Sequence, residues 1–404
     1  MEEDTQHNKV FIIGAGTSAD FHPKGPEGLV STVPFPIGDN FFKIAIEHGV
    51  LKDRNYFGQQ MYKPLLGYIQ EQYDLSYGDL KKGARLNVEQ VYIDLEKQLS
   101  DKGKMDDRSF IGLYIAQRPI LLRRIIEELF NKLCRHNEPC RYHEILARYI
   151  VDTDSTVISF NWDILLDEAL YNTGQWFYES GYGFKFKRLY RDKREFKETE
   201  KKSKGLLIKP HGSINWFRYR HYVRQKGDGF TGETVTDEER DDIYLCEFSR
   251  YSPGITDIQP IDQRLNMAKN YAPQLKIPGE IHIIPPGVRE NRDPFKDIWD
   301  EVKKTISEAD EIIAIGFALK DETEEDKYEK EIFSEARDKS NRKLLLRIVN
   351  KAKESDANTI ELLNRYKIAF RPEKIEFPFS SFKDYCVSLV SGWHSSAHHY
   401  YQYR

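Results

Sequence analysis

The sequence predicts an α/β fold with a Rossmann-like parallel sheet, a helical insertion and a short C-terminal extension. The first observation is a set of six short apolar runs, each closely followed by Gly, Asn, His or Pro. They are Val10–Ile13, Val157–Phe160, Leu206–Ile208, Ile281–Ile284, Ile312–Ile315 and Leu344–Val349. The second is helical spacing of apolar residues between runs, as in Phe295–Glu308, which suits a crossover helix between the fourth and fifth strands. Buried parallel strands would bring the following polar residues to one sheet edge, where ligands bind.

Composition is typical of a folded domain with a well-solvated surface. The chain has 404 residues, of which 39% are hydrophobic and 31% charged, and its net charge is −4. This charge leaves direct nucleic-acid contact open but does not favour it. The acidic start Met1–Gln6 does not resemble a signal peptide, and no apolar run is long enough for a membrane span. We therefore expect a cytoplasmic protein without membrane contact.

The pattern along the chain predicts three regions. Residues 1–45 and 151–350 carry the strands of the α/β domain, and residues 46–150 form a helical insertion in it. Within that insertion, Ile120–Phe130 has helical spacing of apolar residues. Residues 351–404 are predicted to be a helical extension and tail.

Four irregular segments have their own interpretations. Pro23–Gly38 is rich in proline and glycine and is a candidate lid. Arg188–Lys204 has eight basic and four acidic residues, which favours a solvated hairpin over a phosphate-binding surface. Phe217–Asp242 is a second charged insertion. The aromatic tail Trp393–Arg404 is either an interface or disordered.

The first strand is followed by a glycine turn, Gly14-Ala15-Gly16-Thr17-Ser18-Ala19. Glycines there let backbone amides approach a pyrophosphate, although an ordinary tight turn or another kind of nucleotide site gives the same pattern. A dinucleotide dehydrogenase should continue with a second strand and an acidic residue about twenty residues later. The proline-rich segment that follows instead argues against hydride transfer.

Asn161, Asp163 and His211 follow the second and third strands. Asn161 has an alternative interpretation as a turn residue, and Asp163 as a helix N-cap. A lone histidine is usually structural, but His211 lies between Pro210 and Gly212 in a turn and should converge with Asn161 at the sheet edge.

Together these motifs resemble the sirtuin family, in its bacterial antiphage NAD-hydrolase branch. Gly14–Ser18 resembles the family's G-A-G-x-S loop, and Phe160–Asp163 resembles its (Q/Y/F)-N-x-D motif. Lys209–Trp216 resembles the K-x-H-G-S-x-x-W motif of the defence branch. The turns at Gly316 and Asn350 resemble those beside the adenosine half of NAD.

The resemblance implies roles for twelve residues. Asn161 and His211 would be catalytic. Residues that would bind NAD are Gly14, Ala15, Gly16, Thr17, Ser18, Asp163, Gly212, Ser213, Gly316 and Asn350.

Two departures from the family favour NAD hydrolysis over protein deacylation. The deacetylase members share a four-cysteine zinc ribbon, whereas Cys134, Cys140, Cys246 and Cys386 are scattered, so no zinc is expected. The family's G-x-P-x-F-R segment corresponds to Val33–Gly38 here, without its arginine. The expected reaction converts NAD and water to nicotinamide and ADP-ribose. An NAD- or ADP-ribose-sensing module without catalysis is the alternative, and a deacylase is a less favoured one.

The resemblance also implies how activity is controlled. An ungated NAD hydrolase would deplete its own cell, so we expect gating by assembly into a homo-oligomer or with a separate protein. The compact chain resembles the sirtuin-like partner of a HerA-type hexameric ATPase. The expected role is antiphage defence by NAD depletion.

Overall fold

The structure is a computed structural model that describes most of the chain. The described residues are 8–19, 21, 35–53, 61–102, 110–134, 140–186, 188–191, 194–196, 201–218, 243–247, 280–284, 295–319, 327–350 and 357–396. None of the helices within these ranges is both long enough and apolar enough to cross a membrane.

The described residues contain eleven strands, twelve α-helices and two short 3₁₀ helices, Ala15–Thr17 and Gly38–Asn40. The strands are β1 (Lys9–Ile13), β2 (Thr156–Ser159), β3 (Arg188–Arg191), β4 (Arg194–Phe196), β5 (Leu206–Ile208), β6 (Gly212–Arg218), β7 (Ile243–Glu247), β8 (Glu280–Ile283), β9 (Glu311–Ile315), β10 (Leu345–Val349) and β11 (Lys374–Phe379). The helices are α1 (Phe41–Glu47), α2 (Lys63–Tyr73), α3 (Tyr77–Lys82), α4 (Val88–Lys102), α5 (Phe110–Cys134), α6 (Arg141–Thr153), α7 (Leu165–Asn172), α8 (Tyr178–Gly181), α9 (Phe295–Glu308), α10 (Lys327–Asp338), α11 (Ala357–Phe370) and α12 (Phe382–Ser396).

The main sheet confirms the predicted Rossmann-like α/β class. Its six strands run in the order β11-β10-β9-β1-β2-β5, and every neighbouring pair is parallel. Numbered along the chain within this sheet, the order is 3-2-1-4-5-6, the doubly wound arrangement. The order reverses between β1 and β9, where Ile13 pairs with Ile315. The loops after these two strands therefore flank the crevice in which such sheets bind ligands.

One predicted strand belongs to a different sheet. The run Ile281–Ile284 contributes to β8, which pairs antiparallel with β6 in a five-stranded sheet of order β4-β3-β7-β6-β8. The prediction that it is the fourth strand of the parallel sheet is wrong. A short apolar run signals a buried strand, but it carries no information on which neighbour it pairs with.

The sixth strand of the main sheet is instead β11, at the edge beside β10. Ile375, Phe377 and Phe379 alternate with polar residues and Pro378, a pattern that suits an edge strand, where proline is tolerated. The segment 351–404 is thus not purely helical as predicted. The domain boundaries remain a prediction.

The helices pack into two separate apolar cores, one around the main sheet and one within the helical insertion. The crossover helix Phe295–Glu308 is confirmed as α9. Helices α1 to α5 surround a separate apolar core, whereas Leu146 and Ile150 of α6 pack with the main sheet. The packing boundary of the helical insertion therefore lies near the start of α6.

Several interpreted segments lie wholly or partly outside the described residues. These are residues 23–34 of the candidate lid, most of Phe217–Asp242, the turn Pro285–Gly287 and residues 397–404 of the tail. The basic segment Arg188–Lys204 does contain the predicted hairpin, because β3 and β4 pair antiparallel.

The buried imidazole of His143 in α6 makes the stability of this fold depend on pH. Its two ring nitrogens have no hydrogen-bond partner among the described residues, and burial lowers its pKa to about 3. The unfolded chain takes up this proton below pH ~6.5, whereas the folded chain does so only near the lower pKa.

We therefore expect the free energy of unfolding to fall as pH drops from ~6.5 towards ~3, by up to ~1.4 kcal/mol per pH unit from this group. His143→Leu should remove that part of the slope. Urea denaturation at several pH values in this window measures it. An unchanged slope in the variant would show that the imidazole does not stay neutral in the fold.

Candidate active site

The glycine turn after β1 lies against the turn after β9. A Cβ atom on Gly14 would lie 2.7 Å from the Gly316 carbonyl oxygen, and one on Gly16 would lie 2.7 Å from Gly316 Cα. Gly316 itself has a φ of +57°, which favours glycine. The Gly16 amide donates to the Gly316 carbonyl at 3.1 Å. Three glycines are therefore needed for two backbone segments to meet at the switch point.

Most amides of the glycine turn are used within the fold. The amide of Gly14 donates to Ile315, that of Gly16 to Gly316, and those of Thr17 and Ser18 to the turn itself. Ala15 is the one residue of Gly14–Ser18 whose amide has no acceptor in the described part of the chain. Ala15 is also exposed to solvent. Within this turn the Ala15 amide is the donor left for a ligand, and the pyrophosphate contact of Gly14–Ser18 stays a prediction.

Asn161 is held by the glycine turn through its amide nitrogen. Nδ2 donates to Thr17 Oγ1 at 3.0 Å and to Ser18 Oγ at 3.3 Å. The residue is only 6% exposed, and its Oδ1 has no hydrogen-bond partner among the described residues. A buried, unsatisfied amide oxygen costs free energy, so Oδ1 is a candidate acceptor for a hydrogen bond from a ligand or water.

Asp163 supports this arrangement from behind. Its Oδ2 accepts from Ser18 Oγ at 2.7 Å, and its Oδ1 accepts from the Leu165 amide at 3.0 Å. The second bond tethers the first residue of α7, but the N-cap of this helix is Ile164, so the alternative interpretation of Asp163 as the N-cap is wrong by one residue. Burial raises the pKa of Asp163, while the Lys209 ammonium and these hydrogen bonds oppose that rise. Direct contact between Asp163 and NAD remains a prediction.

Lys209 ties the Asn161 turn to the His211 turn. Its ammonium, with a side chain 0% exposed, donates to the Asp163 carbonyl at 2.6 Å and to Ser213 Oγ at 2.7 Å. It also pairs with Asp167 Oδ2 at 3.1 Å. The Tyr182 hydroxyl donates to the same carboxylate. A buried charge with this many partners fixes the relative position of the two turns.

His211 reaches an acidic partner that the sequence did not reveal. Its Nε2 lies 3.0 Å from Oε1 of Glu329 on α10, and each residue is 5% exposed. Within the described ranges, this is the only hydrogen bond of the imidazole ring. A carboxylate that faces Nε2 can accept a hydrogen bond from this nitrogen, and Nδ1 would then be the acceptor nitrogen of a neutral ring.

Aromatic rings surround this imidazole. The Phe160 ring meets the His211 ring edge-on at 4.9 Å between centroids, and it stacks on Phe317 at 4.5 Å. Trp299 lies 6.3 Å from His211. This apolar surrounding strengthens the hydrogen bond to Glu329, because water competes less for it.

The remaining predicted residues have defined positions. Gly212 has a φ of +70°, and a Cβ there would lie 2.2 Å from the His282 carbonyl oxygen. Ser213 is fully buried, and its hydroxyl oxygen accepts a hydrogen bond from the Lys209 ammonium. The Gly316 amide donates to the Val349 carbonyl at 3.2 Å, which brings Asn350 beside the switch point. Their contacts with NAD stay predictions.

Glu329, Lys209 with Asp167, and the Phe160–Phe317 stack were not identified as site features from sequence. A signal for Glu329 does exist, because it shares a helix face with Ile332, Phe333 and Ala336, all buried. An acidic residue on an apolar face is rarely buried without a partner. The surrounding run of charged residues conceals that signal.

Across the part of the chain that the structure describes, no group of three or more His, Cys, Asp or Glu side chains is placed to hold a metal ion.

Comparison with known proteins gives only distant matches. No protein-family model matches the chain, and no curated protein does. A Sir2 homologue in complex with NAD matches at 12% identity and a TM-score of 0.38, over 96% of this chain and 90% of that one. A second Sir2 enzyme structure matches at 12% identity and 0.38, over 97% and 95%. A Sir2 enzyme bound to a propionylated peptide matches at 12% identity and 0.34, over 96% and 93%. These values are too low to assign a family or a function, and sirtuin membership stays a prediction.

Proposed function

We propose that this chain hydrolyses NAD to nicotinamide and ADP-ribose. The observation that carries the proposal is the pairing of two groups at the sheet edge: Asn161 with its free, buried Oδ1, and His211 held by Glu329. The two turns are adjacent, since the Ile214 amide donates to the Trp162 carbonyl at 3.0 Å. They lie after neighbouring strands next to the switch point, the usual place for a nucleotide.

The chemistry of NAD matches this pair of groups. Nicotinamide is bound as a pyridinium, so it leaves as a neutral molecule and needs no general acid. The ribose carbon then resembles an oxocarbenium ion, as in glycoside hydrolysis. Oδ1 of Asn161 would accept a hydrogen bond from the attacking water or a ribose hydroxyl. Nδ1 of His211 would accept the proton.

Substrate binding is proposed to use the other turns. The amide of the exposed Ala15 would meet the pyrophosphate, and Gly316 and Asn350 would meet the adenosine ribose. Gly212 and Ser213 would shape the His211 side of the pocket.

His211→Ala should lower NAD turnover by about 10²–10⁴-fold, because a positioned base typically contributes that much. Nicotinamide release by purified protein measures the effect. His48→Ala, a half-buried histidine at the end of α1, is the control and should retain the rate. Hydrolysis by His211→Ala at the unaltered rate would remove the imidazole from the mechanism.

The same assay separates the two other interpretations. Nicotinamide release only in the presence of an acylated peptide would indicate a deacylase. Binding of NAD or ADP-ribose without release would indicate a sensing module.

We further propose that the activity belongs to antiphage defence in the cytoplasm and is gated by assembly. The support is the sequence resemblance, which points to a homo-oligomer and to a HerA-type hexameric ATPase as partner. Native mass measurement of the chain, alone and mixed with such an ATPase, tests this. A monomer that is fully active without a partner would contradict it.

A further inference from the structure

Glu329 is a second acidic residue at the proposed site, in addition to Asp163. Glu329 projects from α10 onto Nε2 of His211 at 3.0 Å, and both side chains are almost completely buried, at 7% and 6% exposure. A buried glutamate is costly unless its charge is paired or hydrogen-bonded. Glu329 lies on the apolar face of α10 with Ile332 and Phe333. A carboxylate at such a position needs a polar partner, and the His211 ring supplies one.

We propose that Glu329 is a positioning residue that holds neutral His211 as the Nε2–H tautomer. The carboxylate can only accept, so it selects the form in which Nδ1 keeps its lone pair. A carboxylate behind a catalytic imidazole has this role in hydrolytic triads, where its loss leaves the wrong tautomer. The inference rests on the proposed function for the identity of the proton donor.

The proton and electron pairs can be followed through the step. The water oxygen forms a bond to the anomeric carbon of the ribose, and the bond from that carbon to nicotinamide breaks with its electron pair going to the pyridine nitrogen. The water proton moves to Nδ1 of His211. The resulting imidazolium keeps its Nε2–H bond to Glu329, whose negative charge stabilises it.

The surroundings restrict the imidazole to this role. The Phe160 and Trp299 rings lie beside the imidazole, with centroids 4.9 Å and 6.3 Å from it. The His211 carbonyl accepts from the Ile284 amide at 2.8 Å. Backbone and ring are therefore both held. A change at Glu329 should alter the tautomer without displacing the turn.

The direct test is the tautomer itself, measured by nitrogen NMR on ¹⁵N-histidine-labelled protein above pH ~7.5. The wild-type spectrum, assigned by its loss in His211→Ala, should show a protonated Nε2 and an unprotonated Nδ1. Glu329→Gln should mix the tautomers or invert them, because an amide can donate to Nε2. A wild-type His211 with its proton on Nδ1 would overturn the inference, whether or not the chain cleaves NAD.

Kinetics provide the second readout. Glu329→Gln should lower kcat for NAD hydrolysis by about 10²–10⁴-fold with little change in KM. Glu331→Gln, the same change at an exposed position of α10, is the matched control and should behave as wild type. Equal rates for Glu329→Gln and wild type would refute the positioning role and leave the hydrolase intact. A wild-type protein without hydrolysis refutes the proposed function, and the tautomer measurement still decides the role of Glu329.

Discussion

Replacing Asn161 with alanine is expected to reduce NAD hydrolysis by about 10²-fold or more, since misplacing a reacting group by ~1 Å has a cost of that order. The substitution removes the unpartnered Oδ1 that would orient water or ribose. It also removes the Nδ2 bonds to Thr17 and Ser18. The loss should appear mainly in kcat, measured by steady-state nicotinamide release.

Two companion measurements separate chemistry from folding. Asn364→Ala, on the exposed side of α11, should leave the rate unchanged. Thermal unfolding of Asn161→Ala should show only a modest loss, on the order of 1–2 kcal/mol for its hydrogen bonds. An Asn161→Ala protein that is folded and fully active would show that Oδ1 does not face the reaction.

Replacing Lys209 with methionine is expected to destabilise the fold by about 3–5 kcal/mol. The change leaves the Asp167 carboxylate, 2% exposed, without its buried cation. Burial already raises the pKa of Asp167 against the opposing Lys209 charge. Urea denaturation of the variant at neutral pH measures the effect.

The pair also offers an internal check. Lys209→Met combined with Asp167→Leu should recover part of the lost stability, since replacing both buried charges is often close to neutral. Lys343→Met is the surface control, because its pair with Glu373 has side chains 82% and 56% exposed and should contribute little to stability. A Lys209→Met protein as stable as this control would mean that the ammonium does not hold the two turns.

The parallel sheet follows from the sequence because buried strands read as continuous apolar runs with turn residues after them. Five of its six strands and the helix Phe295–Glu308 were predicted in this way. The run Ile281–Ile284 was assigned to the wrong sheet, since periodicity does not encode strand pairing. The edge strand Lys374–Phe379 was missed, because its alternating pattern is short and contains a proline.

The site residues also fall into two groups, those that a local sequence pattern predicts and those that depend on long-range contacts. Asn161 and His211 were identified because turn residues after parallel strands converge at one edge, and the structure does bring their turns together. Glu329 reaches His211 from a helix 118 residues later in the chain, and no local spacing reveals such a contact. Lys209 stood within a recognised motif, but its burial against Asp167 depends on the packing of α7. Long-range polar pairs of this kind can be recognised only in the folded structure.

The most direct test of the central claim is nicotinamide release from NAD by the purified chain without any acylated peptide, with the candidate ATPase partner present in a parallel sample. The account predicts release of nicotinamide and ADP-ribose in equal amounts, and loss of that release in Asn161→Ala and His211→Ala. NAD that remains intact in both samples, or release that persists in both variants, would contradict it.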